Sequence, residues 1–441
     1  MNTLLEKTIK EWWSMPLPNI YQRNIDLRNY VNFESSSQKG ELEMPSNVRK
    51  IISVVGFRRV GKTYLLLDLA KKVGQDKCIY INFEDERIPK DVSTLTNLLD
   101  VLAELSGSKS YYLLLDEIQN IPNWSQWARR VVETTTHSLI ISGSSSKLAS
   151  VELPTELRGR SVNVKVNPLN FKEFLTFKKV DRSLLTPAQL LYLQMEFVRF
   201  GGFPEVVLSD EGKKLLLVDE YFNTFLQRDV IERHKLRRAD SLSLLIGFLL
   251  NSKEYTVRRL ANTISSLDRK IGKYTVSRYL SYLEESFFSR SLFIHTRNIK
   301  NRLQAPKKVY FVDSSFVSRK STDFSNNVGK LMEQKVSEKI FADIDRSQSF
   351  NVFYWRNYRG DEVDLVLRKG EDVKKLIQVC YVSDVKNLPE RETKGLILAA
   401  KELSCSNLEV VTWDVESTLS VNGYKINLIP LHKYLLEKHD L

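Results

Sequence analysis

Cysteine is scarce: three in 441 residues, Cys78, Cys380 and Cys405, far apart and with no CxxC. The five histidines form no HxxxH. A disulfide framework and a structural zinc site are both excluded, and a reducing, cytoplasmic compartment is expected. No run of eighteen apolar residues occurs, and the start, Met1-Asn2-Thr3-Leu4-Leu5-Glu6-Lys7, lacks the apolar core of a signal peptide. A membrane span, a membrane partner and secretion are therefore not expected. Internal repeats and low-complexity tracts are also missing. What is present is ordinary globular material, 42% hydrophobic and 27% charged. At roughly 150 residues per domain the length calls for two to four of them.

Charge is unevenly placed. The chain carries 66 Lys and Arg against 54 Asp and Glu, a net of +12. Residues 221–320 alone hold 20 basic and 8 acidic residues, and the other 341 balance at 46 against 46. The whole excess therefore sits in one block, which points to a basic module and to nucleic acid as its partner. A solvated basic face is the plainer alternative.

Apolar runs and helical patterns divide the chain. Residues 1–45 read as an N-terminal appendage, with Trp12 and Trp13 on a helix and a polar stretch at 35–40. Residues 46–170 alternate buried strands (51–55, 78–83, 111–115, 138–142) with helices, the pattern of an α/β fold with a parallel sheet covered on both faces. Helices follow at 171–222, with a Gly201-Gly202-Phe203-Pro204 break, then the basic region at 223–322 and a last α/β stretch at 323–441.

The sharpest motif is Gly56-Phe57-Arg58-Arg59-Val60-Gly61-Lys62-Thr63, a GxxxxGK[ST] string with a strand before it and a helix after it. Its glycines let backbone N–H groups wrap phosphates at a helix N-terminus, where the dipole favours anions. Gly56, Arg58, Arg59, Val60, Gly61, Lys62, Thr63 and Tyr64 are the candidate nucleotide-binding residues. Lys62 is assigned to the β and γ phosphates and Thr63 to Mg²⁺. Downstream, Tyr111 to Glu117 is an apolar strand ending in two acids. Asp116 suits the Mg²⁺ shell, and Glu117 suits the base that orients attacking water. The strand at 138–142 runs into Ser144 and Ser145, either of which is placed to sense the γ phosphate, although a plain serine turn fits as well. Arg158 and Arg160 lie just beyond; either is a candidate arginine finger acting in trans, or both are surface residues.

GFRRVGKT (56–63), YYLLLDEIQNIPNW (111–124), IISGSSSKL (140–148) with ELRGR (156–160), PLNFKEFL (168–175) and GGFPEVV (201–207) follow one another. This order resembles a prokaryotic, archaeal and bacterial, family of AAA-type ATPases. Its members carry a helical and winged-helix region and then a domain resembling PD-(D/E)xK restriction endonucleases. The resemblance runs from about residue 20 to the end, specific in the ATPase part and looser after it. It implies a P-loop NTPase core of AAA type using ATP and Mg²⁺, a helical lid at 171–222, and a homo-oligomeric ring such as a hexamer.

Within the basic block two helices fit a winged helix-turn-helix: Val257 to Ile264, then Lys273 to Ser286. Val276, Tyr279, Leu280 and Leu283 recur at helical spacing and should face the core. That leaves Lys273, Tyr274, Ser277 and Arg278 outward, with Arg258 on the first helix, as candidate DNA contacts. Residues 287–294 and 308–312 read as wing strands, joined by a basic tip with Arg297, Lys300 and Arg302 suited to phosphates. Few side chains of the base-reading kind face outward, so little sequence specificity is expected. Protein docking is the alternative use of such a module.

From 325 onward the order helix, strand, strand, strand, helix, strand resembles the nuclease core, in which acids on adjacent strands hold Mg²⁺ and a lysine activates water. Glu333 and Asp364 match its two acids, but the E-x-K position reads Gln378-Val379-Cys380, without the lysine. Cleavage is therefore not expected, and a scaffold for DNA or subunit contact is. The reading from sequence is an ATPase working on DNA. The alternatives are a nucleotide-driven signalling switch docking a protein and an ATP-controlled nuclease.

Overall fold

Short strands of Val, Ile and Leu with no polar face must be covered on both sides, and the first half of the chain is built that way. The computed structural model describes residues 2–31, 50–107, 109–144, 159–236, 239–267, 271–321, 328–347 and 349–437. These fall into two units, Met1–Val166 and Asn167–Leu441.

The first unit contains α1 (Asn2–Ser14), β1 (Ile51–Val55), α2 (Lys62–Val73), β2 (Cys78–Asn82), α3 (Val92–Ser106), β3 (Tyr112–Asp116), α4 (Trp124–Thr134), β4 (Ser138–Gly143) and β5 (Ser161–Lys165). The strands form one parallel sheet in the order β2-β3-β4-β1-β5. All five residues of β1 are buried. Because β4 is inserted between β1 and β3, its C-terminal tip stands between the glycine loop that leaves β1 and the acids that end β3. The appendage helix α1 is fastened to the sheet edge: the indole N–H groups of Trp12 and Trp13 both donate to the Cys78 carbonyl, at 2.8 and 3.1 Å.

The second unit opens with α5 (Phe171–Phe177), α6 (Pro187–Phe200), α7 (Pro204–Leu208) and α8 (Glu211–Thr224), the last running into a π-helical stretch, Phe225–Glu232. Asn170 with Glu173 and Thr186 with Gln189 form capping boxes that start α5 and α6. The glycine break after α6 has a steric cause. Gly201 has φ +77°, and a Cβ there would meet Asp313 Oδ1 at 1.7 Å. The Gly202 N–H donates to Asp313 Oδ2 at 2.8 Å.

Then follow α9 (Ala239–Asn251), β6 (Glu254–Tyr255), α10 (Val257–Ser265), α11 (Lys273–Glu285), β7 (Ser289–Leu292), α12 (Ile299–Gln304), β8 (Lys307–Phe311) and α13 (Ser314–Lys320). The three strands form an antiparallel sheet in the order β6-β8-β7. The β7–β8 connection, read as a basic tip between the wing strands, carries α12, whose first turn is capped by the Asn298 side chain accepting from the Asn301 N–H.

The chain ends with α14 (Val328–Ser347), β9 (Asn351–Arg356), β10 (Glu362–Lys369), β11 (Asp372–Val379), α15 (Glu390–Leu403), β12 (Leu408–Thr412), β13 (Ser417–Val421), β14 (Tyr424–Pro430) and α16 (Leu431–Leu436). The sheet order is β13-β14-β12-β11-β10-β9. Val363, Val366, Leu376, Leu396, Leu408 and Ile426 are at the centre of its core. The two strands beyond the expected arrangement form a hairpin in which Val421 pairs Tyr424 across Asn422-Gly423, both at positive φ. Asn-Gly is the commonest two-residue hairpin turn. No helix among the described residues is long and apolar enough to cross a membrane.

Two glycine substitutions should act in opposite directions. Gly201→Ala drives a methyl into Asp313 at a backbone angle that L-residues avoid, and should cost roughly 2–3 kcal/mol. Gly247→Ala, in α9 with nothing within 4 Å of the new Cβ, should stabilise by about 0.5–1 kcal/mol. Urea unfolding of the full chain, following the transition of the second unit, measures both.

Candidate functional site

Gly56 and Gly61 permit the turn from β1 into α2. Gly56 has φ +155°, and a Cβ there would lie 2.2 Å from the Val166 carbonyl; Gly61 caps α2 with φ 99°. Between them Arg59 is exposed in the left-handed region at φ 66°, and Val60 is buried. Arg58 pairs with Glu84 at 3.3 Å, and Tyr64 is exposed on the first turn of α2. Lys62, only 5% exposed, curls back over the loop. Its ammonium donates to the Gly56 and Phe57 carbonyls at 3.2 and 3.1 Å and lies 3.8 Å from Glu117.

Asp116 is the centre of the opposite wall. It is almost wholly buried, and three hydroxyls donate to it: Thr63 at 2.7 Å, Tyr80 at 3.0 Å, and Ser142. Burial raises its pKa, as does the Glu117 charge next door, while the Ser142, Thr63 and Tyr80 hydroxyls pull it back by favouring the ionised form. The Ser142 hydroxyl also accepts the Glu117 N–H at 3.3 Å, so one serine ties the two acids together. Glu117 stands in the left-handed region, φ 53° and ψ 44°, and accepts from the Gln119 amide. Strain of this kind collects at functional sites.

Sequence reasoning brought Lys62, Thr63, Asp116 and Glu117 to this place, and missed Ser142, Tyr80 and Arg23. Ser142 was passed over for its neighbours because it reads as the last residue of a strand; on β4, paired beside β3, its hydroxyl is the one that reaches both acids. Arg23, from the appendage, donates to the Val60 carbonyl at 2.9 Å, and no local pattern announces it. Ser144 is buried one residue past β4. Ser145 and Arg158 lie outside the described residues. Arg160 pairs with Glu133 at 3.0 Å, and its carbonyl accepts from the N–H of Ile51, the first residue of β1. It is therefore at the other end of β1 from its own glycine loop, about 16 Å away along a five-residue strand.

An uncharacterized protein of Methanocaldococcus jannaschii is 34% identical over 413 residues, 90% of this chain and 90% of that one. A family profile described as an AAA domain matches residues 48–175. The chain belongs to this AAA-domain family. A second profile, described as a domain of unknown function, matches residues 193–326. An uncharacterized protein of Haemophilus influenzae is 27% identical over 79% of this chain and 85% of that one. Among solved structures, the Walker-type ATPase PABY2304 of Pyrococcus abyssi superposes with a TM-score of 0.41 at 14% identity, covering 62% of this chain and 91% of that one.

AAA ATPases use ATP and Mg²⁺, and the AAA domain here fits both. The two glycines open the backbone to a phosphate chain and Lys62 is at hand for its charge. Thr63 and Asp116 would hold Mg²⁺, which neutralises developing phosphate charge when bound.

Elsewhere, α11 buries Val276, Tyr279, Leu280 and Leu283, the four residues expected inward. Lys273, Tyr274, Ser277 and Arg278 are exposed on it, as are Arg258 on α10 and Arg297 and Lys300 by α12. The Arg278 guanidinium lies over the Tyr274 and Tyr282 rings, at 5.8 and 5.5 Å. Arg302 turns inward, donating to the Thr296 carbonyl at 2.5 Å and covering Phe353. In the last α/β stretch, Glu333 and Asp364 do come together, and Lys308 of β8 bonds both, at 3.1 and 2.8 Å.

Ser142→Ala removes a donor that favours ionised Asp116. A hydrogen bond to a charged group is worth about 1.5–3 kcal/mol, so losing it should raise the Asp116 pKa further. Asp116 would hold Mg²⁺ as the carboxylate, so affinity should be lost as pH falls through that pKa. The acid limb of Mg²⁺-dependent binding of a fluorescent ATP analogue should move to higher pH in the variant. An unmoved limb contradicts the role given to Ser142.

Proposed function

We propose that the chain is a Mg²⁺-dependent ATPase that couples hydrolysis to binding and to translocation or remodelling of DNA. The observation that carries the reading is the Thr63–Asp116–Ser142–Glu117 chain of hydrogen bonds beside Lys62. It supports reading Thr63 and Asp116 as a cation-binding pair and Glu117 as a water-orienting carboxylate beside a phosphate loop. Lys62 would leave the Gly56 and Phe57 carbonyls for the β and γ phosphates. Glu117, held by Gln119 and through its N–H by Ser142, would orient the attacking water and take its proton. Arg158 or Arg160 of a second copy would stabilise transition-state charge, which requires a homo-oligomer such as a ring. Helices α5–α8 would serve as the lid.

The order α9-β6-α10-α11-β7-β8, with its three-stranded sheet, supports a winged helix that presents α11 to a groove. Few of its outward side chains are of the base-reading kind, so the DNA partner would be bound with little sequence preference.

Steady-state ATP hydrolysis, with and without duplex, single-stranded and four-way-junction DNA, tests the proposal. Lys62→Ala should abolish nucleotide binding. Glu117→Gln should bind ATP but hydrolyse it roughly 100-fold more slowly or worse. One DNA form should stimulate the parent. Five exposed cations (Arg258, Lys273, Arg278, Arg297, Lys300) making phosphate contacts would weaken duplex binding roughly 500-fold between about 50 and 200 mM salt. Hydrolysis indifferent to all DNA, with binding insensitive to salt, would replace this reading by the protein-docking switch.

A further inference from the structure

Each strand of the small sheet sends one charged side chain to the last α/β stretch. Glu254 of β6 pairs Arg356 at 2.7 Å, Arg290 of β7 pairs Asp345 at 3.1 Å, and Lys308 of β8 enters an acidic centre. Lys308 differs from the other two in depth and in partners. It is 4% exposed, and its ammonium meets Glu362 at 2.5 Å, Asp364 at 2.8 Å and Glu333 at 3.1 Å. Glu362 and Asp364 are alternate residues of β10 and so share a face; Glu333 comes from α14. An ammonium has three N–H donors, and here three carboxylates take them.

Most of the acceptor positions around Lys308 are also shared. Asp364 Oδ2 accepts the Val379 N–H at 3.0 Å, Glu362 Oε2 accepts from Arg356, and Glu333 Oε1, which already takes Lys308, also accepts the Tyr310 hydroxyl at 2.6 Å. Gln378, the side chain facing the same centre from β11, spends its oxygen on the Asp364 N–H at 3.1 Å and its amide on Glu392 at 2.6 Å. A hard divalent ion needs such oxygens at about 2.0–2.6 Å. It could not share them with an ammonium without strong like-charge repulsion in so buried a place. Among the described residues no group of His, Cys, Asp and Glu is arranged to hold a metal.

We infer that Lys308 is the resident cation of this centre: it stands where three carboxylates would otherwise hold a divalent ion. The last α/β stretch is thereby a platform that does not cleave nucleic acid, clamped to the strand that supplies the lysine. The inference stands independently of the ATPase reading.

Mn²⁺ binding to the nucleotide-free full chain, followed by electron paramagnetic resonance, tests it. The parent should bind no Mn²⁺ that Asp364→Asn removes, and should not nick supercoiled plasmid in Mn²⁺. Lys308→Ser leaves the acids without their cation. It should gain one Mn²⁺ per chain, bound about tenfold or more tighter than by the parent, and lose it again when Asp364→Asn is added. A Lys308→Ser chain that folds only when Mn²⁺ is supplied is the same result in another form. Either of two results overturns the inference: an Asp364-dependent Mn²⁺ or nicking activity in the parent, or a folded Lys308→Ser that takes none. If Lys308→Ser does not fold with or without Mn²⁺, the parent against Asp364→Asn decides alone.

Discussion

A carboxylate that must stay charged while almost wholly buried is the constraint on which the first unit turns. Asp116 ends a strand in the middle of a parallel sheet, where both faces are covered and water is excluded. Burying a charge without partners costs several kcal/mol or neutralises it. The answer is three hydroxyls from three separate elements: Thr63 from α2, Tyr80 from β2 and Ser142 from β4. Satisfying one side chain therefore ties β2, β4 and the first turn of α2 to the end of β3. The strand order makes this possible, since β4 lies beside both β1 and β3.

The second unit meets the same constraint with formal cations. Asp313, fully buried, accepts from Gly202, from Ser315 and from Lys335, itself buried. That node explains Gly201, whose Cβ would strike the carboxylate; at Gly202, which donates its N–H to Asp313, a Cβ would instead meet the Leu169 carbonyl at 2.3 Å. At the other end of α14's partners, burial alone would lower the Lys308 ammonium, but the Asp364, Glu333 and Glu362 charges hold it well above the ordinary lysine value.

What could be read from the residues in order follows from which interactions are local. The glycine loop, the acid-tipped strand and the capped helices α5 and α6 depend on near neighbours, and they stand where the sequence placed them. The inward face of α11 is a periodicity and was equally legible. Ser142 was not, because its importance comes from lying between strands that are neighbours only in the folded sheet. Lys308 was not, because the sequence pattern asked for a lysine two residues after Gln378, and this one comes from a strand some seventy residues earlier. The hairpin at Asn422-Gly423 did have a local signal, and α12 had a capping asparagine; both were overlooked beside longer patterns.

The two acidic centres show how a site's competence depends on what supplies the countercharge. Around Asp116 the partners are neutral hydroxyls. They stabilise the ionised form but leave its negative charge uncancelled, and Lys62, 3.8 Å from Glu117, rests on the Gly56 and Phe57 carbonyls. Such a centre still has something to gain from a bound cation. Around Lys308 the charge is met within the chain, by an ammonium with all three donors placed and by Arg356 on the far oxygen of Glu362. There an incoming cation must first displace a buried lysine that has no water to receive it. Similar acids would thus differ in their affinity for a metal ion, according to whether the fold brings a lysine or a row of hydroxyls to the strand.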